Sequence, residues 1–589
     1  MLKQILEKSW RTVYQNKFGL LIGASTLYFA VVGVGLNALS WLLRLALALA
    51  KQPNLNKDNF WQLFANPLSL AVLVSYALVV AFLTFIEFTV LINLVRVRRN
   101  NERLSVRKIA QKTIARLRKL VGVEMIFFLI FFISIIPFEN LGLSSALTER
   151  LYIPKFIIGE MSKTNLGEIA YLLIMAVIFY LNFRLILTLP LSILNRKKLS
   201  QNIRESWRAT REHQATLFLA LAISSLILGA LALVAILAVS WLFGFIDQTG
   251  NNWLINTIFY TTIDAIIFGF LVFAKLIITS ILLEFLVEID GKKSAESKQE
   301  TVCEQTRRSV LLAGLMVIFL CGTMLYNGFQ IYHMNYNYKT LKIAHRAKTR
   351  EGVENSIESL LASAQAGADY AEIDIQLTRD GHFVVIHDYN LARLAGVNQE
   401  VKNLTLAELQ TLNLRQDGFE SQISTFEDFV AAAKEAKIKL LVEVKPHGGE
   451  PQNFAEMIIS KMRELDISKE YKVMSLDLEL MRQVKNQAPE LSVGFVIPLQ
   501  IGDFDNSNID FYAIEDFSYT ELLAKSAHLK KRQIFVWTVN GESEIEHYLR
   551  SAADGIISDE ADEIGRIEAR VQNGESYFAK AERAFLSQN

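Results

Sequence analysis

Apolar residues follow two different patterns along the 589-residue chain. The N-terminal half contains seven long apolar stretches, and crossing a hydrocarbon core takes about 20 helical residues. We therefore predict membrane spans at residues 18–42, 67–95, 120–138, 167–193, 216–245, 253–286 and 309–329. The sixth stretch allows either one long tilted helix or a broken one. The C-terminal half instead alternates short apolar runs with helical patterns, which is typical of an α/β domain.

Lysine and arginine collect in four of the segments that flank these spans: the N-terminus and the connections after the second, fourth and sixth spans. Short cytoplasmic loops carry this kind of excess. The distribution predicts a multi-pass plasma-membrane protein with a cytoplasmic N-terminus. After an odd number of crossings, everything beyond Tyr332 should then be extracellular.

The change of pattern divides the chain into four parts. We expect a membrane domain at residues 1–330, a linker at 331–340, a barrel domain at 341–565 and a C-terminal helix at 566–589. The net charge of +1 indicates no nucleic-acid partner, whereas 51% hydrophobic content indicates a lipid bilayer as one partner. Two cysteines make a disulfide framework improbable.

A weak repeat is visible in the membrane domain. The tripeptide Ser9-Trp10-Arg11 before the first span recurs as Ser206-Trp207-Arg208 before the fifth, and a similar basic segment, 109–116, precedes the third. This pattern favours three units, each a basic amphipathic helix followed by two spans. Such helices are suited to anchoring at anionic lipid surfaces.

Charged residues are rare within the predicted spans, and four of them are candidates for a function: Glu87, Arg184, Asp264 and Lys275. Charges inside a membrane are costly, so each needs a partner or a function. Asp264 and Lys275 are 11 residues apart, about three helical turns, and should share one helix face. Two interpretations stay open: mutual pairing against neighbouring helices, or a groove for an anionic lipid head group.

Eight strand and helix units follow from Leu341 onward, which predicts a (β/α)₈ TIM barrel. The predicted strands are 342–345, 371–375, 440–444, 471–475, 493–497, 511–515, 534–539 and 555–558. An additional strand at 382–387, reached through the turn Arg379-Asp380-Gly381, should form a hairpin with the second barrel strand.

Polar side chains end several of these strands, where a barrel enzyme gathers its reactive groups. His345 ends the first strand, Glu372 and Asp374 lie on one face of the second, and Glu443 and Lys445 end the third. Three adjacent carboxylates repel one another unless a hard divalent cation with oxygen ligands compensates them. A histidine near such a cation can act as an acid or a base.

The order of motifs then resembles one enzyme family over the whole C-terminal domain. The motifs are His345-Arg346-Ala347, Glu354-Asn355-Ser356, Gly367-Ala368, Glu372-Ile373-Asp374, Thr378-Arg379-Asp380-Gly381, Val384-Val385-Ile386-His387-Asp388, Glu443-Val444-Lys445, Val536-Trp537-Thr538-Val539 and Asp554-Gly555-Ile556. This segment resembles the glycerophosphodiester phosphodiesterase family. The preceding helices look like the membrane region that accompanies such domains in some bacteria, especially those with a Gram-positive envelope.

The resemblance implies a role for each matching position. Ligands of a divalent metal, with calcium favoured and magnesium as the alternative, would be Glu372, Asp374 and Glu443, with Glu354 as a candidate fourth. His345 and His387 would be the catalytic acid/base pair, and Arg346 and Lys445 would neutralise the phosphate. Trp537 would line the substrate groove, although packing in the core is an equally ordinary role for a tryptophan.

Three positions depart from the family pattern. Ala347 replaces the usual glycine, Ser356 replaces threonine, and Val353 stands where proline commonly precedes the glutamate. The added methyl group of Ala347 matters if this residue needs a positive φ. Because no metal, acid or base position is lost, we expect an active enzyme.

The resemblance implies attack on phosphorus by the neighbouring glycerol hydroxyl, which gives a cyclic phosphate and an alcohol, and then hydrolysis to glycerol phosphate. The substrate could be a small glycerophosphodiester, a phospholipid or lysophospholipid, or the polyglycerol phosphate of a teichoic acid. Two other hypotheses remain. One is a lysophospholipase D-like hydrolase, and the other is a lipid-binding or transport membrane protein with an accessory barrel.

Overall fold

The structure, a computed structural model, divides into two compact units that are described separately. The membrane unit comprises residues 1–50, 64–331 and 576–585, and the barrel unit comprises 51–63, 332–575 and 586–589. The structure describes residues 1–51, 54–55, 66–100, 106–117, 161, 165–195, 197–250, 252–290, 305–333, 340–347, 352–504, 507–572 and 576–586.

The membrane unit is helical. In chain order its described helices are α1 (Leu2–Gln15), α2 (Lys17–Ala30), a π-helical turn (Val31–Leu36), α3 (Asn37–Leu49), α4 (Pro67–Arg99), α5 (Val106–Leu117), α6 (Asn165–Leu185), α7 (Thr188–Leu194), α8 (Leu199–Glu212), α9 (Gln214–Ile246), α10 (Trp253–Asp290) and α11 (Gln305–His333). The three short helices α1, α5 and α8 coincide with the basic amphipathic segments of the sequence.

Four helices in the described part of the chain are long and apolar enough to cross a membrane: Pro67–Arg99, Leu166–Leu194, Gln214–Ile246 and Trp253–Asp290. Shorter apolar helices cover Lys17–Ala30, Asn37–Leu49 and Val317–Phe329. The sixth predicted span is one continuous helix of 38 residues. The predicted span at 120–138 and the basic connection at 291–304 lie outside the described residues.

Ion pairs join three helices at one end of the membrane unit. Lys8 of α1 lies 2.5 Å from Glu288 of α10, and Arg99 at the end of α4 lies 2.6 Å from Glu284. The hydroxyl of Ser280 donates to the carbonyl of Ser9 over 3.4 Å. The N-terminus, the end of α4 and the end of α10 therefore share one side of the unit.

The two copies of the Ser-Trp-Arg tripeptide lie in α1 and α8, and both serines are fully buried. The Trp10 ring nitrogen donates to the Ser224 hydroxyl over 3.1 Å. In the second copy it is the serine that forms the hydrogen bond: the Ser206 hydroxyl donates to the Arg184 carbonyl over 2.8 Å. The two copies therefore have a buried serine in common, but their hydrogen bonds involve different residues and different partners.

The barrel unit is a closed ring of eight parallel strands, as the sequence predicts. In chain order these are β2 (Leu341–Ala344), β3 (Tyr370–Leu377), β7 (Lys439–Val444), β8 (Lys472–Ser475), β9 (Ser492–Ile497), β11 (Phe511–Glu515), β12 (Gln533–Trp537) and β13 (Gly555–Ser558). Pairing of β2 with both β13 and β3 closes the ring. Five further strands of the described residues lie outside the ring. Strand β1 (Asn54–Leu55) pairs with β10 (Ile501–Gly502), and β5 (Asn413–Gln416) forms a hairpin with β6 (Phe419–Gln422). The fifth is β4 (Phe383–Val385).

Strand β4 pairs antiparallel with β3, which confirms the predicted hairpin. The helices of this unit are α12 (Ile357–Gln365), α13 (Ala392–Ala395), α14 (Leu406–Leu409), α15 (Phe426–Glu435), α16 (Phe454–Glu464), α17 (Leu478–Gln487), α18 (Glu521–Leu529), α19 (Glu542–Leu549) and α20 (Ala561–Gln572). Helix α20 continues across residues 565 and 566, where the sequence suggested a boundary. A last helix, α21 (Tyr577–Leu586), belongs to the membrane unit through Phe585.

Large and small side chains alternate inside the barrel. Phe511 and Phe535 are fully buried in the barrel interior. Phe511 pairs with Gly494 on the adjacent strand, and a Cβ atom built on Gly494 would lie 2.1 Å from the Phe511 ring. Likewise, a Cβ atom on Gly555 would lie 2.8 Å from Phe535. The glycines therefore make room for the rings in a closely packed interior.

We expect Gly494→Ala to destabilise the barrel by about 1–3 kcal/mol, because the methyl group must displace a buried ring. The measurement is protease resistance of the barrel in the full-length protein against rising urea. Gly565→Ala in α20 is the matched control, since nothing lies within 4 Å of a Cβ atom there. Equal urea midpoints for the two variants would contradict this packing argument.

Candidate active site

Three carboxylates meet at the carboxyl end of the barrel strands. Glu372 and Asp374 lie on β3, and Glu443 lies on β7 directly opposite Asp374 in the strand register. One oxygen from each of these residues lies within 4.8 Å of the others. Glu372 and Asp374 are buried, being 3% and 1% exposed. Strand pairing therefore brings the three predicted oxygen ligands together.

The protein partly compensates the charge of these carboxylates. Burial raises the pKa of Glu372 well above its usual range and that of Glu443 to about 7, and repulsion from Asp374 adds to both shifts. Burial opposes ionisation of Asp374 too, but the charges of Lys445 and Arg346 and a hydrogen bond from Asn355 hold its pKa low. A closely spaced group of buried carboxylates fits a divalent cation with oxygen ligands, because the cation would compensate the remaining repulsion.

The turn after β2 directs backbone and side-chain donors at these carboxylates. The Arg346 backbone N–H donates to Glu372 over 2.8 Å. The Asn355 side chain donates to Asp374 over 2.9 Å and accepts from the Asp374 backbone N–H over 3.0 Å. Arg346, Ala347 and Asn355 all have positive φ, at 47°, 56° and 59°. Ala347 thus occupies the conformation for which its motif usually has glycine, which costs about 1–2 kcal/mol.

His387 stands on one side of the carboxylates with a partner of its own. Its Nδ1 lies 2.8 Å from Asp388 Oδ1, and the other Asp388 oxygen accepts from Arg393 Nε over 2.6 Å. Burial lowers the pKa of His387, so the neutral imidazole is favoured at neutral pH. The contact with Asp388 leaves Nε2 available for proton transfer, because Nδ1 is already bonded.

Glu354 occupies a separate position from the three carboxylates. It accepts from Arg393 over 2.5 and 2.9 Å, from Arg346 over 3.1 Å and from the Gln416 side chain over 3.1 Å. Burial opposes its ionisation, but Arg346 and Arg393 together lower its pKa. It also lies near His387 and Asp388 in a second group of possible ligands. With two arginines bound, Glu354 has the contacts of a residue that positions Arg346.

His345 bonds to an acid that the sequence analysis did not single out. Its Nδ1 lies 2.7 Å from Asp559 Oδ1, and the second Asp559 oxygen accepts from the Asn540 side chain. The Asp559 backbone N–H donates back to Asn540 over 2.9 Å. Burial opposes ionisation of Asp559, but the charge and hydrogen bond of His345 lower its pKa to about 2.

Lys445 and Trp537 line the same end of the barrel. Lys445 Nζ lies 3.5 Å from Asp374 and 5.7 Å from the centre of the Tyr389 ring. Burial alone would lower the pKa of Lys445, but Asp374 and Glu443 raise it, so the ammonium stays charged. Trp537 donates to the Ala513 carbonyl over 3.0 Å and packs, partly exposed, against the barrel interior.

Sequence reasoning missed Asp559, Arg393 and Asn540. Asp559 follows β13 immediately, so the rule that located the other strand-end groups could have found it. Asn540 comes three residues after β12 and carries a weaker form of the same signal. Arg393 lies in the four-residue helix α13, and no pattern along the chain connects it with Glu354, 39 positions earlier.

The four charged candidates of the spans have partners on neighbouring helices. Glu87 lies 3.7 Å from Lys275, and Asp264 accepts from Asn327 over 2.8 Å. Arg184, 1% exposed, donates to the Trp207 carbonyl and lies 4.7 Å from the Trp207 ring centre. These contacts favour the pairing interpretation. Among the residues that the structure describes, the Arg184 Nε has no hydrogen-bond partner.

Comparison with known proteins finds similarity in both halves of the chain. The family model described as "Membrane domain of glycerophosphoryl diester phosphodiesterase" matches residues 6–321. The family model described as "Glycerophosphoryl diester phosphodiesterase family" matches residues 345–563. Together the two matches cover the membrane and barrel units in the order that the sequence predicts.

Individual relatives cover less than half of the chain. A glycerophosphodiester phosphodiesterase of Caldanaerobacter subterraneus is 27% identical over 230 residues, which is 38% of this chain and 95% of that protein. The human lysophospholipase D GDPD3 is 25% identical over 262 residues, covering 37% and 81%. A solved phosphodiesterase of Oleispira antarctica, in complex with the product sn-glycerol-3-phosphate, is 21% identical with a TM-score of 0.34 and covers 38% and 96%.

We expect Asp559→Asn to lower kcat at least about a hundredfold, because asparagine would no longer hold the His345 imidazole in the orientation that its Nδ1 contact with the carboxylate gives it. The change should also shift the acidic or basic limb of the kcat profile against pH while KM changes little. Asp562→Asn, an exposed position in α20, is the matched control. An unchanged pH profile would show that Asp559 has only a structural role.

Metal affinity should fall as pH decreases through 7. A divalent cation would have to displace the proton of Glu443, whose pKa is raised to about 7, so its dissociation constant should rise about tenfold per pH unit for each proton displaced. Calorimetric titration of the full-length protein with calcium at pH 6, 7 and 8 measures this. Glu443→Gln should bind more weakly with a smaller pH dependence. A dissociation constant independent of pH would contradict the assignment.

Proposed function

We propose a reaction for this chain from one premise: the chain belongs to the family of glycerophosphoryl diester phosphodiesterases that carry a membrane domain, and is a phosphoric diester hydrolase. The proposed reaction cleaves a glycerol phosphodiester to glycerol phosphate and an alcohol. The observation that carries it is a closely spaced group of three carboxylates together with two histidines, each bonded through Nδ1 to its own carboxylate partner.

Four residues would position the substrate phosphate. Glu372, Asp374 and Glu443 would hold a divalent cation, with calcium favoured and magnesium as the alternative, and the cation would offset charge on the phosphoryl oxygens. Lys445 adds a permanent positive charge beside them. We assign Glu354 to positioning rather than to the metal, because Arg346 and Arg393 already use both of its oxygens.

The two histidines would divide the proton transfers. In the first step the substrate hydroxyl next to the phosphoester attacks phosphorus, and the bond to the alcohol oxygen breaks. His387, favoured as the neutral imidazole, accepts the proton of the attacking hydroxyl. His345, whose Nδ1 is bonded to Asp559, donates a proton to the departing alcohol. In the second step water opens the cyclic phosphate and the histidines exchange roles.

This route places one chemical demand on the substrate. The glycerol must carry a free hydroxyl on the carbon adjacent to the phosphoester, because that oxygen is the nucleophile. Small glycerophosphodiesters, the head group of phosphatidylglycerol and unsubstituted polyglycerol phosphate all meet this demand. Trp537, partly exposed at the end of the barrel, would supply an apolar wall of the groove.

We further propose that the barrel, from residue 341 onward, is extracellular and that residues 1–330 anchor it in the plasma membrane. Two observations support this orientation. The amphipathic helix α1 shares one side of the membrane unit with the basic end of α4. The helix α21, which follows the barrel, binds the membrane unit at the loop after α9, which is the opposite end of α10. Basic segments favour the cytoplasmic side.

A lysophospholipase D-like activity is the second candidate. Human GDPD3 carries that name, and its similarity to this barrel is close to that of the bacterial glycerophosphodiester phosphodiesterase. The two activities differ in the substrates they accept. Release of choline from lysophosphatidylcholine would favour the lysophospholipase D assignment, whereas selective release of glycerol phosphate from glycerol diesters would favour the first proposal.

The deciding experiment uses purified full-length protein in detergent with glycerophosphoglycerol, phosphatidylglycerol, lysophosphatidylcholine and polyglycerol phosphate. We expect turnover that chelator abolishes and calcium restores. His345→Ala should lower kcat by about 10²–10⁴-fold, the usual contribution of a general acid or base. His528→Ala, an exposed histidine bonded to Asp554, is the control and should keep full activity. Failure to cleave every diester with any divalent metal would refute the enzymatic assignment of these residues.

A further inference from the structure

The last helix of the chain, α21 (Tyr577–Leu586), packs within the membrane unit although it follows the barrel in sequence. Its start is defined by Ser576, whose hydroxyl accepts from the Ala579 backbone N–H over 3.3 Å. Tyr577, Ala581 and Ala584 recur at helical spacing on one face, with Lys580 beside them. Tyr577, Lys580 and Ala581 are buried, being 2%, 5% and 3% exposed.

The surface that receives this face is built by the loop between α9 and α10. One oxygen of Asp247 accepts from the backbone N–H groups of Thr249 and Gly250, over 3.2 and 3.1 Å. Its other oxygen accepts from the Asn252 N–H over 3.2 Å. Gly250 turns with a positive φ of 67°. The loop is therefore ordered by its own bonds and presents carbonyl and carboxylate oxygens outward.

Side chains of α21 satisfy those oxygens and fill the apolar space beside them. Tyr577 donates its hydroxyl to Asp247 Oδ2 over 2.9 Å, and its ring lies 4.8 and 5.9 Å from the Phe259 and Phe243 rings. Lys580 donates to the Gly250 carbonyl and, over 2.7 Å, to the Asn256 side chain. Buried aromatic packing combined with matched polar groups is typical of a specific interface rather than of incidental contact.

We propose that α21 is a docking helix that fastens the C-terminal end of the catalytic barrel to the membrane domain at the loop after α9. The chain of the barrel then begins at the end of α11 and ends at α21, and both ends are held by the membrane unit. Three residues, 573–575, separate the last barrel helix from Ser576. A connection this short restricts how far a doubly attached barrel can move away.

The consequence for substrate choice rests on the proposed function. The attachment would favour hydrolysis of diesters at the bilayer surface over hydrolysis of diesters free in solution. A barrel held by one linker samples a large volume, whereas a barrel held at both ends stays near lipid-borne substrate at high effective concentration. The attachment itself can be tested without any assay of activity, so a failure of the docking proposal remains distinguishable from a failure of the enzymatic one.

The first test introduces a specific protease site into the linker at 334–339 of the full-length protein in phosphatidylcholine vesicles. After cleavage, the wild-type barrel should stay with the vesicles on centrifugation. In the double variant Tyr577→Ala, Lys580→Ala, release should be about tenfold faster or more, because an aromatic anchor and its bonds are removed. Phe578→Ala with Glu582→Ala, two exposed positions on the same helix, is the matched control and should behave as wild type.

Two results would overturn the proposal. Release of the wild-type barrel as fast as that of the double variant would mean that α21 does not hold it. Equal retention of both would mean that other contacts hold the barrel, such as the pairing of Asn54–Leu55 with Ile501–Gly502. Circular dichroism and protease resistance of the uncut double variant establish that it is folded.

The second test compares turnover by the uncut proteins. The double variant should keep the wild-type kcat/KM for soluble glycerophosphoglycerol and lose about tenfold or more on phosphatidylglycerol in vesicles, where effective concentration matters. Equal losses on both substrates would contradict the consequence for substrate choice. Inactivity of the wild type on both would refute the proposed function while leaving the release assay valid.

Discussion

The repulsion among three carboxylates at the end of two adjacent barrel strands is the constraint around which the active site is organised. Strand pairing fixes Asp374 opposite Glu443, and side-chain alternation along β3 puts Glu372 beside them. Groups of one sign at this separation, removed from water, cannot all ionise without compensation. The surrounding donors, cations and the expected divalent metal are all ways to supply that compensation.

Compensation comes from parts of the chain that are far apart in sequence. After β2, a backbone N–H group donates to Glu372 and a side-chain amide donates to Asp374. Three residues of this segment have positive φ. Strained backbone of this kind persists where surrounding structure enforces it, and such places are often functional sites. Farther from these carboxylates, Glu354 and Arg393 link Arg346 to Asp388, so the position of His387 is coupled to that of Arg346.

The membrane unit compensates several of its charges in a different way, by ion pairs between two helices. Within the described helices, Glu87 forms an ion pair with Lys275, and Arg99 forms one with Glu284. Pairs of this kind orient neighbouring helices and offer no concentrated charge to a ligand. The closely spaced carboxylates among the described residues thus lie in the barrel. The contacts of α21 with the loop after α9 lie within the membrane unit.

Much of this protein could be read from its sequence, because the physics involved is local. Apolar length predicted the spans, and alternation with helical patterns predicted eight strands, since both depend on periodicity within a short window. The positions of His345, Glu372, Asp374 and Glu443 at strand ends predicted that they lie together, because parallel strands bring their carboxyl ends to one rim of the barrel. Tertiary structure alone decided the partners: Arg393 with Glu354, Asp559 with His345, Lys275 with Glu87, and α21 with the membrane unit. Those contacts join residues that are distant along the chain, and no periodicity carries information about which distant residues will meet.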